Sequence, residues 1–327
     1  MCKDKTILVT GGAGFIGGAF IDLLLSEGYG DRVVCLDKLT YAAQPDRIKT
    51  HELNKRYTFV KGDIVDGWIV NKVLKKYEPA CIVNFAAESH VDNSLVDDSA
   101  FYKTNVDGVE TLIKGAIKYG VRHFVQVSTD EVYGQNLDGK PFCEDSPYAP
   151  RNPYAMTKVK AEEIVKTYVK QGKIEALITR GCNTFGPWQH GEKLISKTVL
   201  KAIKNESIPI YGSGLQKREW IYSSEHARAI LFLIENNHFG GVFNIGSGYE
   251  TTNIDIVRQI LDILQKPHNL MTHVEDRKNH DFQYGVSRLK LTQAGFKVKH
   301  NMPADLLETV DFYKNRIVDM TDSSPFT

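Results

Sequence analysis

The segment TILVTGGAGFIGGAF, residues 6–20, does most to limit what this chain can fold into. A β-branched run, a glycine cluster and an apolar run follow one another, which reads as a strand, a tight turn and a helix packing back along the strand. The glycines fit G-x-G-x-x-G through Gly12, Gly14 and Gly17, and equally G-x-x-G-x-x-G through Gly11, Gly14 and Gly17. Either register brings backbone close to a pyrophosphate and aims a helix N-terminus at its negative charge. A lone match of this kind is weak evidence, and the strand before it and the helix after it give it weight.

Asp37 ends the next β-branched run, RVVCLD, twenty residues beyond Gly17. A carboxylate there suits the ribose hydroxyls of an adenosine and repels a 2′-phosphate, so the loop favours NAD over NADP. Asp63 and Ile64, in KGDIVD, offer a second contact near the adenine. Without the loop, Asp37 would read as a solvated strand end and Asp63 as a turn cap.

The same rhythm continues through TILVT, RVVCL, YTFVK, CIVNFA, HFVQVS and EALITR, with amphipathic stretches at 16–27, 69–77, 101–119 and 153–171 between them. This alternation predicts an α/β fold, a Rossmann-type doubly wound parallel sheet over residues 1–181. Beyond it, Gly- and Pro-rich segments and helices at 253–264 and 303–315 predict a smaller C-terminal α/β substrate lobe over 182–327. The last seven residues, TDSSPFT, are expected to fray.

With 327 residues, 42% of them hydrophobic, the chain can bury a full core. Forty-one basic against forty acidic residues, without a basic run, argue against a nucleic-acid partner. The apolar runs fall well short of the roughly 20 residues a membrane span needs. The start, MCKDK, carries no signal-peptide pattern, so a cytoplasmic protein is expected. Five cysteines without CxxC spacing are expected to be reduced and mostly structural, with no metal site.

VSTDEVYG, residues 127–134, sets Asp130 beside Glu131 after the fifth strand. Adjacent carboxylates repel, so the pair is either solvated on a rim or placed where proton chemistry is wanted. Successive strand residues point to opposite faces, so both reach one ligand only if the strand has already turned. Tyr154 and Lys158, four apart in NPYAMTK, share one face at the start of a helix. Moving a phenol pKa from about 10 toward 7 takes roughly 4 kcal/mol. One ammonium about 4 Å away supplies that much at an effective dielectric of about 20. Tyr154 can then act as an acid/base beside a nicotinamide.

Taken together, these residues resemble an extended short-chain dehydrogenase/reductase, and within that group the nucleoside-diphosphate-glucose 4,6-dehydratases. The likeness runs through TGGAGFIG, LDKLTYA, NFAAESHVDNS, STDEVYG, YAMTK, GPWQHGEKLI, YGSGLQKREWIY and VEDRKNHD. Thr129, Asp130 and Glu131 discriminate, since related 4-epimerases carry small residues there and related decarboxylases keep only the glutamate. The resemblance implies NAD held by Gly11, Gly14, Phe15, Ile16, Gly17, Asp37, Lys38, Thr40, Asp63, Ile64 and Ala86, with Tyr154 and Lys158 beside its nicotinamide. It implies C4 oxidation with Tyr154 as base and Thr129 on the C4 oxygen. Glu131 then removes the C5 proton, protonated Asp130 releases the C6 hydroxyl as water, and hydride returns to C6, giving a 4-keto-6-deoxy sugar.

The nucleotide-sugar contacts it implies are Glu88, Ser89, His90, Asn183, Glu192, Lys193 and Leu194. At the diphosphate and nucleoside they are Arg218, Asn244, Arg277 and His280. The chain departs from the commoner bacterial pattern at Asn93, Gly181, Cys182, Thr184 and Phe185, so dTDP-glucose and UDP-glucose both stand as substrates. A homodimer paired through 101–119 and 153–171 is implied as well. The alternatives are a 4-epimerase or decarboxylase on the same frame, or a noncatalytic NAD(H)-binding protein.

Overall fold

The computed structural model describes residues 5–136, 139–276, 281–283 and 285–322, and six strands stand where the β-branched runs fall. They are β1 (Thr6–Thr10), β2 (Arg32–Asp37), β3 (Tyr57–Lys61), β4 (Cys81–Asn84), β5 (His123–Thr129) and β6 (Glu175–Gly181). Six short ones follow: β7 (Asn183–Phe185), β8 (Ile208–Tyr211), β9 (Lys217–Tyr222), β10 (Val242–Ile245), β11 (Glu250–Thr252) and β12 (Met271–Val274). One seven-stranded sheet runs β10-β6-β5-β4-β1-β2-β3, parallel throughout. From β1 the chain winds outward to β2 and β3, then restarts on the other side with β4. That reversal opens a crevice at the carboxyl ends of β1 and β4, where doubly wound sheets bind ligands.

The helices are α1 (Phe15–Ser26), α2 (Pro45–Glu52), α3 (Gly67–Tyr77), α4 (Val91–Val96), α5 (Ser99–Tyr102) and α6 (Gly108–Lys118). Then come α7 (Pro153–Lys170), α8 (Leu194–Ile203), α9 (Ser223–Glu235), α10 (Asn253–Ile263), α11 (Leu289–Gln293) and α12 (Met302–Asp322). Alternation along the strands divides the core. Ile7, Val9 and Val33 pack on one face against Phe20, Ile21 and Leu24 of α1 and Ile230 and Leu233 of α9. Leu8, Val34 and Ile82 pack on the other against α3, α6 and α7. No helix among the described residues is long and apolar enough to cross a membrane.

Three features differ from the sequence expectation. The sheet is not finished at residue 181, because β10 pairs with β6 (Asn244 opposite Arg180) and α9 covers α1. VFNI is too short, and too close to glycines, to stand out as a strand until β6 offers it a partner. The stretch 101–119 is not one helix, since a π turn, Lys103–Asp107, separates α5 from α6. Of the tail, Thr321 and Asp322 end α12, and the rest lies outside the described residues. The chain past β6 otherwise builds the small sheet β11-β9-β7 and the parallel pair β12-β8, packed with α8, α10 and α12.

A buried polar knot sets the carboxyl ends of β5 and β6. Helix α7 turns Tyr154, Lys158 and Glu162 inward, one helical turn apart, and all three are buried. Glu162 accepts hydrogen bonds from Arg180 (Nη2, 2.7 Å), Ser128 (2.7 Å) and Tyr148 (2.6 Å). Arg180 lies over the rings of Tyr133 and Tyr148, at 4.8 and 5.0 Å, and donates to the Tyr133 hydroxyl at 2.6 Å. That hydroxyl donates in turn to Asn244 Oδ1 at 2.7 Å. A buried ion pair is tolerable when its remaining donors and acceptors are satisfied in this way.

Removing one partner strands the other. In urea unfolding at pH 7, Glu162→Ala is expected to lose about 3–5 kcal/mol, and the double variant Glu162→Leu/Arg180→Met to regain most of it. Burial pushes the Glu162 carboxyl up, but Arg180, Ser128 and Tyr148 outweigh it and hold it below the ordinary value. Its stabilisation is therefore complete above about pH 4.3 and is lost as pH falls through the lower folded value.

Candidate active site

The crevice widens into a cleft of about 480 Å³ between the sheet and the later elements. On its sheet side the loop after β1 resolves the register of the glycines. Gly11 has φ +71°, and a Cβ there would lie 2.5 Å from the Ala86 nitrogen. At Gly17 a Cβ would lie 2.4 Å from the Gly11 carbonyl, so the helix could not seat against the turn. Gly12 faces the core at Ile21 and Cys35, whereas Gly11, Gly14 and Gly17 line the cleft with Phe15 and Ile16. The spacing in use is G-x-x-G-x-x-G.

Helix α1 starts at Gly14 with no side-chain cap and no acidic residue in its first turn. Its leading N–H groups and the bare glycine backbone suit a pyrophosphate. Asp37 sits at the end of β2, accepting from Ala13 N (3.0 Å) and Leu39 N (2.8 Å), so the carboxylate also ties the glycine loop to the next strand. Lys38, Thr40, Asp63, Ile64 and Ala86 line the same side, and this donor set fits a dinucleotide.

Glu88 departs from its expected place on the sugar side. Its carboxylate pairs with Lys38 at 3.2 Å, and its backbone is clamped by Asn105, which accepts from Glu88 N (2.9 Å) and donates to Glu88 O (3.0 Å). Asn105 sits in the π turn, whose extra residue per turn is what aims it.

Across the cleft, Glu192 Oε2 lies 3.2 Å from His90 Nε2 and 3.4 Å from His190 Nδ1. Lys193 donates to Ser89 O at 3.2 Å. These contacts bridge the loop after β4 to the loop before α8, and Asn183 and Leu194 line the wall between. Arg218 faces the far end, where it donates to the carbonyls of Lys217, Asp281 and Phe282. Asn244 does not reach the cleft. It is fully buried in the knot, donating to Phe142 O and accepting from Tyr133, because β10 belongs to the main sheet. Arg277 and His280 lie outside the described residues.

At the centre, β5 gives way at Thr129 to a 3₁₀ turn, Asp130–Tyr133, as the acidic pair requires. Thr129 Oγ accepts from Glu131 N and donates to Asp130 Oδ1, both at 3.3 Å. The turn sends the two carboxylates to unlike places. Glu131 lines the cleft with Tyr154 and accepts from Asn152 Nδ2 at 2.9 Å. Asp130 lies behind the wall, 3% exposed, with its Oδ2 unpartnered. Burial, then Glu131 and Glu219, push the Asp130 carboxyl well above the usual range. Burial also raises Glu131, but Asn152, Lys193 and Arg218 pull it back.

Tyr154 and Lys158 line the cleft opposite, as their spacing predicts. The expectation that Lys158 depresses the phenol does not hold in this arrangement. Lys158 Nζ is drawn 2.6 Å from the Val127 carbonyl, and burial lowers its pKa to about 8. Burial and Glu131 hold Tyr154 above its ordinary value, and a hydrogen bond with Thr129 is what eases it.

Sequence reading missed Asn105, Asn152 and His226. Asn152 was findable, because Asn-Pro before an apolar-periodic run signals a helix start, and the side chain both caps α7 and orients Glu131. His226 is 2% exposed, bonded to Thr184 at 2.9 Å and kept neutral by burial with a pKa of about 4. It reaches the cleft floor over Gly181, where a Cβ would lie 2.4 Å from its ring. Nothing in the local sequence announces it.

Comparison with known proteins identifies the family and the fold. The pattern of the NAD dependent epimerase/dehydratase family matches residues 7–246. The low-salt glycan biosynthesis protein Agl12 of Haloferax volcanii is 42% identical over 94% of this chain and 98% of its own length. A dTDP-glucose 4,6-dehydratase of Xanthomonas campestris is 37% identical over 94% and 93%. The crystal structure of DesIV, a dTDP-glucose 4,6-dehydratase from Streptomyces venezuelae with NAD bound, superposes with a TM-score of 0.92 at 37% identity, covering 95% of this chain and 97% of that one. The chain therefore belongs to the NAD dependent epimerase/dehydratase family.

Proposed function

We propose that this chain is an NAD-dependent nucleoside-diphosphate-glucose 4,6-dehydratase, a hydro-lyase acting on dTDP-glucose or UDP-glucose. One observation carries the reading: two adjacent carboxylates in unlike surroundings, Glu131 facing the cleft and Asp130, between cleft-lining Thr129 and Glu131, buried with its charge disfavoured. Epimerisation at C4 needs hydride out and back and nothing more. Expelling a hydroxyl needs an acid and a base, and unlike environments are how two carboxylates divide those roles.

When bound, the nicotinamide of NAD supplies the reversible hydride acceptor that oxidation at C4 and reduction at C6 both require. Gly11, Gly14, Gly17 and the start of α1 would hold the pyrophosphate, and Asp37 the adenosine ribose. With the nicotinamide's positive charge beside it to offset the burial that raises its phenol, Tyr154 would take the C4 hydroxyl proton while Thr129 steadies the C4 oxygen. The ketone acidifies C5, and Glu131, oriented by Asn152, removes that proton. Asp130 donates to the C6 oxygen, which leaves as water, and Glu131 returns its proton to C5. Ser89, His90, Asn183, Glu192, Lys193, Leu194 and Arg218 surround the sugar nucleotide. The outer faces of α6 and α7, adjacent on one side of the sheet, are the surface we assign to a homodimer.

Incubating the pure protein with dTDP-glucose and UDP-glucose is expected to give a 4-keto-6-deoxy product from at least one, seen by its carbonyl. Product from neither contradicts the reading. Asp130→Asn is expected to slow product formation by roughly 10²–10⁴-fold, while an epimerase would be nearly indifferent to it. Glu131 works deprotonated and its carboxyl is raised by burial. The acid limb of kcat/KM should therefore fall with decreasing pH at a midpoint above about 4.3, and Glu131→Gln should abolish that limb along with most of the activity.

A further inference from the structure

Lys38 is a cation in the neighbourhood where a 2′-phosphate would arrive. It follows Asp37 at the end of β2, and dinucleotide sites that take a 2′-phosphate offer it a cationic side chain close to that point. Asp37 opposes such a guest by its own charge. Lys38, one residue on and lining the same cleft, would welcome it. What the ammonium does in the folded chain decides between the two.

The ammonium is turned onto Glu88 Oε1 at 3.2 Å, donates to Thr104 Oγ at 3.2 Å, and has Asp63 Oδ2 at 3.9 Å. Each of these partners is itself held. Asp63 Oδ1 accepts from Val65 N at 3.1 Å. Glu88, between cleft-lining Ala87 and Ser89, has its backbone clamped by buried Asn105. Asn105 Nδ2 also donates to Thr157 Oγ at 2.9 Å, and Thr157 donates on to the Tyr154 carbonyl at 2.7 Å, which ties the clamp to α7. Thr104 and Asn105 are neighbours in the π turn, so one feature aims both the hydroxyl that meets the ammonium and the amide that fixes its counter-ion. On the strand side, Leu39 takes φ +61° with its N–H on Asp37 Oδ1, which bends the chain directly after Lys38.

The same arrangement leaves negative charge in excess. Burial raises the Asp37 carboxyl, and of its charged neighbours Lys38 eases it while Asp63 opposes it. Asp37, Asp63 and Glu88 thus surround one ammonium. A 2′-phosphate, bringing roughly two negative charges at pH 7, would meet like charges and a cation already paired. A 2′-hydroxyl asks nothing of Lys38.

We propose that Glu88 is a positioning residue for cofactor selectivity: by holding Lys38 against Thr104 it denies the ammonium to a 2′-phosphate and so keeps NADP out. Selectivity of this kind is built against the wrong guest and adds nothing to the affinity for the right one. It gives Glu88 a task at the adenosine end of the cleft, away from the sugar. It rests on the dinucleotide cradle and not on the dehydratase reading.

Competition of NADP against labelled NAD on the full chain, at low ionic strength where charge is least screened, tests it. Glu88→Gln removes the charge at nearly constant shape, and Glu88→Ala also removes the acceptor. Both are expected to improve NADP relative to NAD by roughly tenfold or more, with the affinity for NAD itself kept within about threefold. Adding Lys38→Met to either should return the ratio to that of the unaltered protein. An unchanged ratio in both single variants would overturn the proposal. So would a gain that survives Lys38→Met, because Glu88 would then act by its own charge and not by holding Lys38. Loss of NAD and NADP binding together would make Glu88 a structural member of the cradle and overturn its selective role. No sugar nucleotide enters the assay, so failure of the selectivity proposal leaves the dehydratase reading standing, and failure of that reading leaves this result intact.

Discussion

A carboxylate buried beside two others, with one oxygen unbonded, is the constraint on which the rest of this site depends. Asp130 has its back to the protein interior, two other carboxylates nearby and one oxygen without a partner. Water would solvate such a group cheaply; here burial raises its pKa well above the usual carboxylate range and disfavours the charged form. That arrangement costs stability unless its surroundings are rigid. The Glu162–Arg180 knot, with Tyr133 at the end of the same 3₁₀ turn, supplies the rigidity. The residues that fix the acid in place are thus charged and buried themselves, but fully bonded, whereas the acid is left wanting a partner. On the proposed reading, a leaving hydroxyl would be the partner it lacks.

The same frame carries different chemistries in its relatives, which is expected when catalytic groups sit at strand ends and not in the core. On the proposed reading the oxidising half of the site, Tyr154 and Lys158 against the crevice, would be separable from the eliminating half, Asp130 and Glu131 on the turn after β5. Thr129 joins them. Its position as the last strand residue lets its backbone close the sheet while its hydroxyl serves the turn. The substrate-side loops are bridged by Glu192, His90, Lys193 and Ser89, so the cleft wall is continuous across elements far apart in sequence.

Much of this was legible beforehand, and for a physical reason. β-Branched runs, helical periodicity and the glycine turn are local signals, so six strands of the sheet and the strand-turn-helix of the dinucleotide loop followed from the residues alone. Whatever depends on tertiary partners did not. Gly11 and Gly12 are indistinguishable until Ala86 approaches one and Cys35 the other. VFNI becomes a strand only beside β6, and that is also why Asn244 points into the knot and not at a ligand. A phenol and an ammonium four residues apart look coupled on paper. In the fold the Val127 carbonyl competes for the ammonium and burial decides the phenol's state.

The protonation state of Asp130 in the folded protein is the most direct test. Infrared difference spectra of the unaltered protein against Asp130→Asn at pH 7 should contain a carboxylic-acid C=O band assignable to Asp130. Finding instead the paired stretches of an ionised carboxylate would contradict the account, because a site holding two carboxylates and no acid has no means of expelling the hydroxyl.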